Sequence, residues 1–497
     1  MSPRTALLVF CLAAAIPAAV LGSGPCQAAP SRELALSGCE LHQTLDLTLI
    51  QAQCGHLDVP ENPAAPRGRR IELRVAVVPA ISTRKSPDPL FVLAGGPGMA
   101  ATSFYASVAP VFALIHRDRD IVLVDQRGTG GSNALNCETS DEDLYESTTP
   151  EIVAQARRCL KMLGAHADVR FYTTSLAVQD LDRVRAALGY DRIDLYGSSY
   201  GTIVAQEYLR RFPTRVRSVI LDGVVPPQLA LGATSALDAQ AALSNIFSRC
   251  VREPACHARF GDPATAYRQL REQLEARPVW VDLTDPTSGE PYRLQFTPYH
   301  LAMVLRLASY TPELAALLPL DLHEADASGD FAPLAGQFLL IDRVYGDAIA
   351  EGMNDTVVCS EDVPYYHVDA EQRAELAKTF LGTSQLDGLQ AICALWPRGP
   401  VAPDLHQPLH SDIPALLLSG GNDPITPPRY AAEAARGLTH SLSVVVPGFG
   451  HGQLTDPCVA GVMAQFVRRA SVSGLDTACT RNLSPMPFFL TRNGPTP

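Results

Sequence analysis

Beyond its first 29 residues the 497-residue chain has no apolar stretch long enough to span a bilayer. It has no basic excess either: 40 Lys and Arg against 52 Asp and Glu give a formal charge of −12. That balance argues against nucleic acid and anionic membrane surfaces as partners, since both select basic patches. Its 12 cysteines are scattered and include no C-x-x-C, which argues against a zinc site. His323-Glu324 lacks the second histidine of H-E-x-x-H, and Pro408 separates His406 from His410, so neither pair reads as a metal site. Gly95-Gly96-Pro97-Gly98 is not followed by G-K-[ST], so it is no phosphate loop. Neither an internal repeat nor a low-complexity linker is present.

What is present starts with an export signal. Met1 to Ala29 carries Arg4, an apolar run from Ala6 to about Val20 interrupted by Pro17, and then small residues. This is the layout of a cleaved secretory leader, and it predicts a periplasmic or secreted protein with no stable membrane insertion after cleavage. Cys11 and Cys26 leave with the leader, and an even remainder of ten in an exported chain reads as five disulfides. Nearest-neighbour pairing, one of several connectivities that ten cysteines allow, joins Cys39 to Cys54, Cys137 to Cys159, Cys250 to Cys256, Cys359 to Cys393 and Cys458 to Cys479. The sequence does not set the oligomeric state.

Strand and helix signals alternate. Ile71, Leu73, Val75 and Val77 mark a half-buried strand. Pro89 to Ala94, Asp120 to Val124 and Val216 to Asp222 are short apolar runs suited to strands buried on both faces. Thr174 to Leu188 is an amphipathic helix. Such alternation specifies a mostly parallel sheet covered by helices. The next strand of this type is Pro414 to Ser419, so nearly 190 mainly helical residues separate two neighbours. The expected layout is a leader (1–29), a core (30–225), a helical lid (226–405) placed where open α/β sheets bind ligands, and the rest of the core (406–497). The Pro-rich tail after Leu483 reads as extended and exposed.

The chemistry centres on Gly197-Ser198-Ser199-Tyr200-Gly201. A strand (Ile193, Leu195) precedes it and a helix (Ile203, Val204, Tyr208, Leu209) follows, the context required of a G-x-S-x-G nucleophile elbow with Ser199 at its tip. Asp423 follows strand Pro414 to Ser419, and His451 follows strand Ser443 to Val446. Ser199, Asp423 and His451 therefore stand at strand ends in the Ser, Asp, His order of α/β-hydrolases. In that chemistry His451 takes the serine proton and Asp423 fixes the imidazole. The N–H of Tyr200 and that of Gly96, with Gly95 as alternate, would hold the oxyanion. No metal or organic cofactor is required. Asp125 and Arg127, beside the same site, read as structural.

Gly-Gly-Pro-Gly (95–98), Asp-Gln-Arg-Gly-Thr-Gly-Gly-Ser (125–132), Tyr-Gly-Ser-Ser-Tyr-Gly-Thr (196–202), Leu-Asp-Gly-Val-Val-Pro-Pro (221–227), Asn-Asp-Pro-Ile-Thr-Pro (422–427) and Gly-His-Gly-Gln (450–453) before Cys458 resemble the exported tripeptidyl-aminopeptidase-like branch of the α/β-hydrolases, related to proline iminopeptidases. The resemblance implies an α/β-hydrolase fold with a large helical lid, and a serine exopeptidase acting at free N-termini through Ser199, Asp423 and His451. Ala94 and Tyr200 stand where proline iminopeptidases typically have His and Trp, which argues against strict proline preference. An aminopeptidase needs a carboxylate for the substrate ammonium, because a buried unpaired charge is costly. Glu361 and Asp362 are the expected pair. A carboxylesterase or lipase-like hydrolase acting on a small ester is the alternative, since one scaffold serves many chemistries.

Overall fold

The computed structural model describes residues 34–42, 49–137, 149–346, 348–452 and 456–496. The expected leader, with Cys11 and Cys26, lies outside them. Nine strands form the main sheet: β1 (Ser37–His42), β2 (Leu49–Pro60), β3 (Arg70–Val78), β4 (Leu90–Leu93), β5 (Ile121–Val124), β6 (Ile193–Ser198), β7 (Val216–Asp222), β10 (Ala415–Gly420) and β11 (Ser441–Val446). Their order is β1-β2-β3-β5-β4-β6-β7-β10-β11. Strands β1, β2, β3 and β5 pair antiparallel, and from β5 through β11 every pairing is parallel.

The apolar runs explain this order. All residues of β4 (Leu-Phe-Val-Leu), β5 (Ile-Val-Leu-Val) and β10 (Ala-Leu-Leu-Leu-Ser-Gly) are buried, as expected of parallel strands covered on both faces. Leu73, Val75, Phe91, Val122, Leu195 and Val219 belong to one layer of core; Leu90, Val92, Tyr196, Ile220, Leu416 and Leu418 belong to another. Neighbouring residues of one strand thus go to different cores, the period-2 geometry of a sheet.

Between β7 and β10 the chain leaves the sheet for an insertion of helices, among them Ser235–Arg252, Pro298–Ala308, Pro312–Ser328, Ala332–Gly346, Glu351–Val357 and Ser384–Cys393. It also holds a two-stranded antiparallel hairpin, β8 (Val279–Thr284) and β9 (Pro291–Phe296), which the helical reading of this interval did not anticipate. The insertion has its own core, including Leu243, Phe247, Phe296, Leu305, Leu318 and Phe338.

Among the described residues five disulfides occur, joining Cys39–Cys54, Cys137–Cys159, Cys250–Cys256, Cys359–Cys393 and Cys458–Cys479. Among the described residues no helix is long and apolar enough to cross a membrane. The C-terminal tail departs from the exposed segment that its prolines suggest. Phe488 and Leu490 are buried in the core of the insertion, and Arg492 pairs with Asp321 at 2.8 Å and with Glu324. Two large apolar side chains gain more from burial than an extended tail would keep.

Candidate active site

Residues 193–211 run as strand β6, a one-residue turn and the helix Tyr200–Arg211. Ser199 sits at the turn with φ 54° and ψ −121°, one of three non-glycine residues of positive φ among those described. An L-residue is strained there and persists only where its surroundings enforce it. The flanking glycines show how. A Cβ on Gly201 would lie 2.7 Å from the Ala94 carbonyl oxygen, against the end of β4. The carbonyl of Asp222, closing β7, accepts the Ser199 N–H at 2.8 Å, and Thr202 returns its hydroxyl to the Ser199 carbonyl at 2.6 Å. The elbow is thus wedged between two strands, and Ser199 is 9% exposed.

The candidate oxyanion donors are the backbone N–H groups of Tyr200 and Gly96, with Gly95 as alternate. Tyr200 is the first residue of its helix, so its N–H has no intrahelical acceptor. Gly95 lies against the serine: a Cβ there would be 3.1 Å from that of Ser199. Gly96 follows with φ 105°, and its N–H meets no protein acceptor among the described residues. The insertion braces this glycine loop from above. Ala350 donates its N–H to the Gly98 carbonyl at 3.0 Å, and Asn354 donates Nδ2–H to the Pro97 carbonyl at 3.1 Å.

The Asp423 carboxylate is buried beyond β10. It accepts the N–H groups of Ile425 and Thr426, both at 2.8 Å, and the Thr426 hydroxyl at 2.7 Å. His451 Nδ1 lies 2.9 Å from its Oδ2. Burial alone would raise the Asp423 pKa, but the facing imidazole and the backbone donors outweigh it and hold the group below its ordinary value. For His451 burial acts downward, and the Asp423 charge and hydrogen bond reverse it to a net rise. Asp423 and His451 form one hydrogen-bonded unit. Ser199 and His451 approach the same short link between β7 and the insertion: Asp222 accepts from the serine, and a Cβ on Gly223 would meet the imidazole Cε1 at 3.1 Å. Tyr310 of the insertion seats the histidine, taking its N–H at 2.8 Å and setting its ring edge-on at 5.2 Å.

Glu361 and Asp362 lie on a π-helical turn, Val358–Asp362, tied to the helix Ser384–Cys393 by the Cys359–Cys393 disulfide. Glu361 is 3% exposed and accepts the Thr174 N–H at 2.7 Å. The Thr174 hydroxyl meets the Tyr200 hydroxyl at 2.6 Å, so one side chain separates Glu361 from the residue after the serine. Asp362 accepts the N–H of Leu231 at 2.8 Å. Burial pushes Glu361 up to about 7 and Asp362 well above its usual range, and among the described residues no cation pairs with either.

Asp355 escaped the sequence reading. It follows Asn354, the anchor on the Pro97 carbonyl; burial, then the Glu351 charge, lift its pKa to about 7. The sequence signal was Glu351 and Asp355 one turn apart, a like-charge spacing that an exposed helix avoids. Asp125 and Arg127 do the structural work expected of them. Asp125 receives the Thr102 N–H and hydroxyl, while the wholly buried Arg127 binds Asp180 at 2.7 Å and the carbonyls of Glu61 and Phe171.

Comparison with known proteins agrees with this architecture. Residues 88–245 match the alpha/beta hydrolase fold family and residues 378–479 the TAP-like protein family. Carboxylesterase B of Mycobacterium tuberculosis is 30% identical over 459 residues, 84% of each chain. Serine protease Hip1 of the same organism is 27% identical over 79% of this chain and 80% of its own. The tripeptidyl aminopeptidase of Streptomyces coelicolor is 24% identical over 88% and 84%. On these matches, and on a parallel sheet with its strained serine turn, the chain belongs to the α/β-hydrolase family, in its TAP-like branch.

Proposed function

We propose that the protein is an exported serine aminopeptidase that releases short pieces from free peptide N-termini. Ser199 attacks the scissile carbonyl as His451 takes its proton, and His451 then gives that proton to the departing amine. Asp423 holds the imidazole in the tautomer this needs and stabilises the imidazolium. The N–H groups of Tyr200 and Gly96 receive the oxyanion, with Gly95 so close to the serine that a Cβ there would lie 3.1 Å from that of Ser199. Residues 226–405 act as the lid. Export rests on the leader-like first 29 residues and on the five disulfides, which persist in oxidising compartments.

The observation that carries the aminopeptidase reading is the pair Glu361 and Asp362. Two adjacent carboxyls have pKa values raised by burial, with no cation beside them among the described residues, and Glu361 lies one side chain from Tyr200. A substrate ammonium would supply that cation and return Glu361 to its ionised form. The carboxylesterase reading keeps one specific support, the 30% identity to a relative named Carboxylesterase B. Peptide anilides with free and acetylated N-termini separate the two. Cleavage confined to the free amine and abolished in Ser199→Ala is expected; equal cleavage of the acetylated substrate would give the site to an esterase or endopeptidase.

A further inference from the structure

The insertion also carries a cation near His451, Arg306. Arg306 lies in the last turn of the helix Pro298–Ala308, one turn before Tyr310, whose carbonyl and ring seat His451. Its guanidinium hydrogen-bonds the Tyr310 hydroxyl and donates Nη1–H to Gln385 Oε1 at 3.1 Å. Gln385 Oε1 also accepts the Ser235 hydroxyl at 3.1 Å, which fixes the amide as an acceptor. Every one of these partners is neutral. Among the described residues Arg306 has no carboxylate, and its Nε is buried without a hydrogen-bond partner. A guanidinium offers five N–H donors in a rigid fork matched to a carboxylate, so this one retains open donors.

Its position gives the ligand. The Arg306 charge lies close enough to the imidazole to oppose its protonation. In serine hydrolysis the histidine protonates the leaving group, so the leaving group occupies the histidine side of the site. A lone cation there raises the barrier to forming the imidazolium unless an anion accompanies the substrate. The proposed ammonium pocket at Glu361 is linked to Tyr200 through Thr174.

We infer that Arg306 binds the C-terminal carboxylate of the leaving portion, which makes short peptides with both termini free the preferred substrates. This rests on the serine aminopeptidase reading above. The distance between Glu361 and Arg306 would then act as a length gauge. A folded protein or a long peptide presents no carboxylate at that point.

The test uses oligoalanines of increasing length, each with a free N-terminus and either a free carboxylate or a C-terminal amide, with hydrolysis followed by mass spectrometry. The intact protein is expected to favour the acid over the amide by about tenfold or more in kcat/KM at short lengths, and to lose that preference as the peptide grows. Arg306→Gln should bring the acid down to the level of the amide, with an unchanged midpoint in thermal unfolding reporting that the variant is folded. Arg306→Lys should restore part of the preference, because it keeps the charge and loses the fork. Equal rates for acid and amide in the intact protein, or a parallel fall of both in Arg306→Gln, would overturn the assignment alone. Hydrolysis that survives in Ser199→Ala would overturn it together with the parent reading.

Discussion

Several polar groups of the sheet and of the insertion are handled in opposite ways. At the sheet, Asp423 is surrounded by two backbone N–H groups, a hydroxyl and an imidazole, and Arg127 has Asp180 and two carbonyls. In the insertion, Asp355, Glu361 and Asp362 are pushed up in pKa by burial, and Arg306 has only neutral partners. A satisfied polar group fixes geometry, whereas one left short of its counter-charge stores a preference for a ligand of opposite sign. The contrast suits a division of labour. Elements that must not move during the reaction are tied down, and those that meet a changing substrate are left incomplete.

Removing a tie from the sheet should therefore be catastrophic for turnover. Asp423→Asn is expected to lower kcat by about 10⁴-fold while leaving KM for a short peptide nearly unchanged, because the imidazole is then held in the wrong tautomer. A fall confined to KM would break the division at its firmer end.

The insertion should fail differently, through stability. Phe488 of the tail is buried in its core under the Arg249 guanidinium, which lies 3.8 Å from the ring centre. Phe488→Ala should cost about 3–5 kcal/mol by cavity formation, read as a lower midpoint in thermal unfolding. A midpoint unchanged from that of the intact protein would mean that the tail decorates the insertion rather than holding it.

The smallest effect is the most discriminating. A group whose pKa rises on folding binds its proton more tightly in the native state, so stability falls as pH climbs from the unfolded value towards the folded one. For Glu361 that window runs from 4.5 to about 7. Glu361→Gln keeps an acceptor for the Thr174 N–H and removes the titration. The variant should gain up to about 3 kcal/mol at pH 8 and nothing at pH 4, while KM for free-amine peptides rises by about tenfold or more. Denaturant unfolding at the two pH values checks the first half, and a gain of equal size at both would show that Glu361 is an ordinary packed side chain.

Much of the sheet was legible because its signals are local. Arg70 to Val78 alternates and is a strand over that same range, and Val216 to Asp222 likewise. The elbow was readable because a sharp strand-to-helix turn demands small residues at fixed offsets from Ser199, here Gly197 and Gly201. The hairpin β8–β9 was not, since Trp280, Asp282 and Thr284 face outward in a short strand with few apolar partners to mark it. The tail was misread because proline content describes the backbone, while Phe488 and Leu490 found their place in residues far away in sequence.

The sequence by itself determined the parallel sheet, the serine turn, and the loops that carry Asp423 and His451, since each depends on residues within about ten positions of one another. It also contained ten cysteines that pair with their nearest neighbours, because short loops cost the least entropy to close. Only the tertiary structure decided that Glu361 reaches Tyr200 through Thr174, and that Arg306 comes near His451 with no carboxylate of its own among the described residues. Whether a charge is satisfied depends on what the rest of the fold brings within about 4 Å of it, and no local pattern encodes that.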